Sequence, residues 1–135
     1  MRDAAHRAFH TDLWIGGAFA PASDGARFDV VDPAEETVLA SVASASLDDA
    51  DRALDAAQAA FGPWAARTPR ERAEVLRRAF ELMTARLPDV ARLITLENGK
   101  ARADAMGEAA YAAEFFRWFS EEAVRAEGLL ARAPS

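Results

Sequence analysis

A chain of 135 residues, 51% hydrophobic and 28% charged, is long enough to bury one real core and too apolar to stay disordered over most of its length. Its net charge of -6, with no Lys/Arg block standing apart from acidic neighbours, argues against a face built to grip a phosphate backbone. The absence of cysteine excludes disulfides, thiolate metal sites and a cysteine nucleophile within this chain, and leaves a reducing cytoplasm as the default compartment.

Residues 1–11 read as a flexible polar leader, because MRDAAHRAFHTDLW lacks the apolar core of a signal peptide. His6 and His10 lie four apart and could share a helix face, but two ligands without a third do not make a zinc site. No segment approaches the roughly 20 apolar residues that span a bilayer. From Asp12 onward LWIGGAF places two short apolar pieces around Gly16-Gly17, a pairing suited to a tight hairpin because glycine tolerates positive φ. ARFDVVDP alternates into the turn signal Asp32-Pro33, and TVLASVA returns as a second extended piece. Strands so short and few need a larger body to lie against.

Helices are predicted for the rest. Ser46 and Asp49 form a capping box ahead of Leu47, Ala50, Leu54, Ala57 and Phe61 at helical spacing, and Gly62-Pro63 is expected to end that helix. Thr68, Pro69 and Glu71 supply a cap, a first-turn proline and an N-terminal acid for the next, whose apolar stripe is Leu76, Phe80, Met83 and Leu87. Pro88 begins a separate short helix carrying Leu93, Ile94 and Leu96, broken at Asn98-Gly99. A last helix is expected from about Arg102 to Glu127, and ARAPS reads as the start of a connection.

Groups able to do chemistry are sparse. Ser23, Ser41, Ser44, Ser46 and Ser120 lack a G-x-S-x-G setting, and the glycines form neither G-x-G-x-x-G nor a P-loop. Glu97 fits a solvated acid better than a catalytic one. Glu108, within an Ala-rich helix, fits exposure and a structural hydrogen bond equally well. Lys100 is the only lysine, which alone assigns it nothing. The aromatic run Phe115, Phe116, Trp118, Phe119 covers more than one helix face; offsets of three and four draw Phe115, Phe116 and Phe119 together and point Trp118 elsewhere. Such a run serves as core, as a pocket wall in a larger body, or as a peptide-binding patch.

In order along the chain, WIGGAF (14–19), FDVVDPAEETVLASV (28–42), ALDAAQAAFGPWAARTPRERAEVLRR (53–78) and LITLENGKARADAMGEAAYAAEFFRWFSEEAVR (93–125) resemble the beginning of an aldehyde dehydrogenase. The likeness is nearest to the NAD(P)-dependent succinate-semialdehyde dehydrogenase branch. Asp32, Pro33 and Ala34 match an Asn-Pro-Ala turn with aspartate replacing asparagine. Glu35-Glu36 stands where Thr-Gly is common, so that turn is expected to be built differently. Trp64, Pro69, Glu71 and Arg72 follow a Trp...Pro-x-Glu-Arg helix start. Glu97, Gly99 and Lys100 match Glu-x-Gly-Lys, with Ala101 in place of the usual proline.

The resemblance implies an α/β parent, of which this segment is mainly helical: an amino-terminal hairpin and short strands, then about four helices. Residues 12–135 would be an incomplete amino-terminal part of the cofactor-binding domain. It also implies oxidation of a small semialdehyde, with succinate semialdehyde favoured, by a cysteine nucleophile and hydride transfer to NAD or NADP. Neither that cysteine nor the later cofactor-binding elements lie in these 135 residues, so the chain alone is expected to be inactive and to bind no cofactor well. Phe116 and Phe119 match positions that can line the substrate tunnel; no catalytic, cofactor-binding or metal residue is assigned. Arg117 is close to hand for an acidic substrate, but the resemblance does not place it there. The implied partner is the remainder of the chain, in a cytoplasmic homodimer or homotetramer without nucleic acid or membrane. A small helical protein-interaction module, with no enzymatic activity, is the alternative.

Overall fold

The structure is a computed structural model that describes residues 9–125. Four short strands precede four helices: β1 (Leu13–Ile15), β2 (Ala18–Ala20), β3 (Arg27–Val31), β4 (Val38–Ala43), α1 (Leu47–Ala65), α2 (Pro69–Ala85), α3 (Leu87–Asn98) and α4 (Arg102–Glu122). The strands form two separate two-stranded antiparallel sheets. In the first, Leu13 faces Ala20 and Ile15 faces Ala18, and the two linking residues, Gly16 and Gly17, both have positive φ (62° and 86°). That is the geometry the Gly-Gly pair predicts. The second sheet pairs Arg27 with Ala43 and Val31 with Val38, with an irregularity between Val30 and Val31.

Of the expected leader, residues 1–8 lie outside the described residues. His10 stacks on Phe19 with ring centroids 3.7 Å apart, and the Thr11 carbonyl accepts a hydrogen bond from the Ala43 N–H at 2.8 Å.

The turn between β3 and β4 is an Asx turn. One Asp32 side-chain oxygen accepts the Ala34 N–H at 2.8 Å, and the Asp32 carbonyl accepts the Glu36 N–H at 2.8 Å. Glu36 takes a left-handed φ of 56°, the conformation that a glycine would adopt without cost. Pro33, beside it, reaches the carboxyl end of α3. Gly99 caps that helix with a φ of 74°, and a Cβ placed there would lie 3.2 Å from Pro33 Cγ.

Both capping boxes form. In α1 the Ser46 hydroxyl accepts the Asp49 N–H at 3.2 Å, while the buried Asp49 carboxylate accepts the Ser46 N–H at 3.0 Å. Asp49 does more than cap. It also accepts the Ser23 N–H at 3.0 Å and pairs with Arg52, binding the loop between β2 and β3 to the helix start. In α2 the reciprocal bonds between Thr68 and Glu71 measure 3.3 and 2.9 Å.

Helix α1 departs from expectation at its end. It runs through Gly62 and Pro63 to Ala65. Proline sacrifices one hydrogen bond near the helix end, and glycine before it has no Cβ to collide with the proline ring, so the last turn survives. Its apolar stripe has the right period but faces outward: Leu47 is 85% exposed, Leu54 68% and Phe61 67%. Helix α4 closes at Glu122, where Glu127 was expected; Ala123–Arg125 form a turn, and residues 126–135, ARAPS among them, lie outside the described residues.

The core is built on alanine. Ala91 of α3 and Ala105 and Ala109 of α4 are buried, with Leu87, Val90, Ile94 and Met106 packed around them. Ala113 continues the α4 seam, Ala73 is buried on α2, and Leu76, Phe80 and Met83 are half-buried. Each methyl contributes at most about 0.8 kcal/mol by burial, so the seam works mainly by letting helices approach closely.

Glu36→Gly is expected to stabilise the chain by about 0.5–1 kcal/mol, since relief of the left-handed strain exceeds the added chain entropy. An unchanged or lowered urea midpoint would contradict the strain assigned to that turn. For Asp49, the Ser46 N–H, then the Ser23 N–H and Arg52, hold the carboxyl well below the usual carboxylate range. A depressed native pKa gives stability above the unfolded value of about 3.9 that is lost as pH falls towards the native one. Helical circular dichroism should therefore fade more steeply below about pH 4 in the unsubstituted chain than in Asp49→Asn.

Candidate functional site

Because α4 turns its alanines inward, its large rings face out. Tyr111, Phe115 and Phe119 follow one another at offsets of four. Tyr111 and Phe115 meet edge to face at 4.9 Å, and Phe115 and Phe119 stack at 6.5 Å. With Trp118 and Glu114 they line an open groove of about 310 Å³. Its lining is aromatic except for Glu114, whose carboxylate lies 2.8 Å from an Arg117 nitrogen. The Arg117 guanidinium also stands 5.9 Å from the centre of the Phe80 ring on α2.

The two residues singled out from the sequence are divided by this arrangement. Phe119 lines the groove and is 53% exposed. Phe116 is not among the lining residues; at 37% exposure it sits at offsets of three and four from the buried Ala113 and Ser120, on the side turned towards the helical core. Trp118, expected to point elsewhere, lies in the groove beside Phe115, three residues away. Tyr111 and Glu114 were not singled out. The spacing 111, 115, 118 was the available signal, but a run of adjacent aromatics concealed it.

The remaining candidates do not gather at one point. Lys100 pairs with Glu108 across the start of α4, so the Glu108 carboxylate is exposed and ion-paired, and Glu97 is exposed at the end of α3. Among the described residues no group of three His, Cys, Asp or Glu side chains could hold a metal ion; His6 lies outside them. Nor is any helix of the described residues long and apolar enough to cross a membrane. For a dinucleotide the described residues do not fit. Their sheets are two antiparallel pairs, and the left-handed glycines sit in hairpin turns, in the loop before β3 and at the end of α3, so none forms a strand-to-helix turn that would present backbone N–H groups to a pyrophosphate.

Two strand hairpins thus precede four helices, the last of which carries the aromatic rings. The aldehyde dehydrogenase family profile matches residues 19–134, and the chain belongs to that family, as its amino-terminal portion. Among its relatives, a succinate-semialdehyde dehydrogenase of Paenarthrobacter nicotinovorans is 58% identical over 97 residues, 72% of this chain and 22% of the relative. A glutarate-semialdehyde dehydrogenase of Pseudomonas aeruginosa is 41% identical over 128 residues, 95% of this chain and 26% of the relative. In three dimensions the chain matches the crystal structure of an NADP-dependent enzyme of E. coli with a TM-score of 0.91 at 40% identity, covering 96% of this chain and 27% of that one. The chain thus spans about a quarter of the length of the relatives it matches. The fold is the α/β aldehyde dehydrogenase type, of which these residues form the opening hairpins and four helices.

Covering a ring such as Phe115 or Trp118 is worth about 1.5–3 kcal/mol, a large fraction of the ~5–15 kcal/mol that holds a domain together. With the α1 stripe also open to water, the isolated chain is expected to self-associate or to be only partly folded. Sedimentation should show mass rising with concentration; a sharp two-state thermal transition of a dilute monomer would contradict this.

Proposed function

We propose that the chain is part of an NAD(P)-dependent aldehyde dehydrogenase that oxidises a short semialdehyde, succinate semialdehyde in the first place, to its carboxylic acid. The observation that carries the proposal is the 58% identity to a succinate-semialdehyde dehydrogenase over 72% of this chain; the glutarate-semialdehyde relative, at 41%, supports the wider class of dicarboxylic semialdehydes. Residues 12–135 would open the cofactor-binding domain. The rest of the protein would supply the cysteine nucleophile and the cradle for NAD or NADP, which when bound accepts hydride. A cytoplasmic homodimer or homotetramer, binding neither nucleic acid nor membrane, belongs to the same proposal.

What these residues offer to the chemistry is a wall. The groove along α4 brings Phe119 together with Tyr111, Phe115 and Trp118, and rings of this kind keep water from a small aldehyde while it reacts. Phe119 is therefore the stronger of the two tunnel-wall assignments. Phe116, half-turned towards the helical core, would act by supporting that wall.

The test is steady-state kinetics on the intact protein encoded in frame with this segment. Turnover with NAD+ or NADP+ and a higher kcat/KM for succinate than for glutarate semialdehyde is expected, and Phe119→Ala should raise KM by roughly tenfold, more than Phe116→Ala does. The reverse order of substrates would overturn the choice of succinate semialdehyde, and no turnover with any aldehyde would overturn the activity. The 135-residue chain by itself should reduce no cofactor.

A further inference from the structure

The groove on α4 has one charged lining residue, and it is an acid. Glu114 borders the aromatic lining, and Arg117, three residues on, places a guanidinium nitrogen 2.8 Å from the carboxylate. Both side chains are about half exposed among the described residues. The Arg117 guanidinium also stands 5.9 Å from the centre of the Phe80 ring on a different helix. Among the described ion pairs, several have the same spacing along a helix, such as Arg125 with Glu122, but they do not border these rings.

Resting on the tunnel wall proposed above, we infer that the Glu114–Arg117 ion pair sets the charge preference of this groove, with Glu114 masking a cation that would otherwise draw anionic aldehydes towards it. The pair is close to neutral at a distance. Close by, the groove meets the carboxylate before the guanidinium, so the far carboxylate of a semialdehyde is disfavoured at the Glu114 edge and the chain lies along the rings in one direction. Aromatic walls screen charge less than open water does, which lets one charge count. Removing Glu114 unmasks Arg117 and reverses the local sign; removing Arg117 leaves Glu114 unopposed.

The experiment compares KM for succinate semialdehyde with KM for butanal, a neutral aldehyde of equal carbon number, in the intact enzyme. Glu114→Gln should lower the anionic-to-neutral KM ratio by roughly two- to fivefold, and Arg117→Gln should raise it by a similar factor, both changes shrinking in high salt. Opposite signs in the two variants cannot come from a common loss of folding. Phe119→Ala, measured alongside, separates the two levels of the proposal. If it raises KM for both aldehydes while the charge variants leave the ratio unmoved, the ion-pair inference fails and the tunnel wall stands. If it changes neither KM, the wall is misplaced and the inference falls with it.

Discussion

The close approach of helices across an alanine seam governs the rest of this structure. Ala105, Ala109 and Ala113 recur every fourth residue along α4, and all three are buried. Three methyls removed from water contribute, together, no more than one well-buried phenylalanine. Their value is geometric: small side chains let the backbones draw together, so that the larger Leu87, Val90, Ile94 and Met106 close around the contact. Once alanine occupies the inner face of α4, Tyr111, Phe115, Trp118 and Phe119 take the outer one. The groove of Tyr111, Phe115, Trp118 and Phe119 follows from how the helix is packed.

The same division of labour recurs in α1. Asp49 fixes the start of the helix through the Ser46 and Ser23 amides, and alanines face the first hairpin, where Ala53, Ala56 and Ala60 share a groove with Trp14 and Ile15. Leu47, Leu54 and Phe61 are left outside. Two helices that hold themselves in place with small or polar groups, and keep their large apolar groups outward, belong to a body of which these residues are one face. The chain's relatives extend about four times as far.

Local chemistry was the legible part of the sequence. Both capping boxes, the Gly16-Gly17 hairpin, the Asp32-Pro33 turn and the break at Gly99 depend on a few adjacent residues and formed as their side chains dictate. What failed to show was direction. Periodicity reports that Leu47, Leu54 and Phe61 share a face, but not whether another element covers it. The same limit hid the groove: with aromatics at 115, 116, 118 and 119, only knowledge of which face α4 presents to α2 and α3 separates Phe116 from its neighbours. At Gly62-Pro63 the sequence signal was local and still misled, because a proline so near a helix end has little hydrogen bonding left to break.

The contact between Pro33 and Gly99 joins pieces that lie far apart along the chain. A hydrogen atom in place of a methyl at position 99 lets the proline ring rest against the corner where α3 ends, just ahead of the residues that lead into α4. The turn of the second hairpin therefore touches the corner that leads towards the helix bearing the aromatic rings. A bulkier residue at that corner would crowd the proline ring and would have to hold a left-handed φ of 74° as well. A change at residue 99 would thus be felt at residue 33, three helices earlier in the chain.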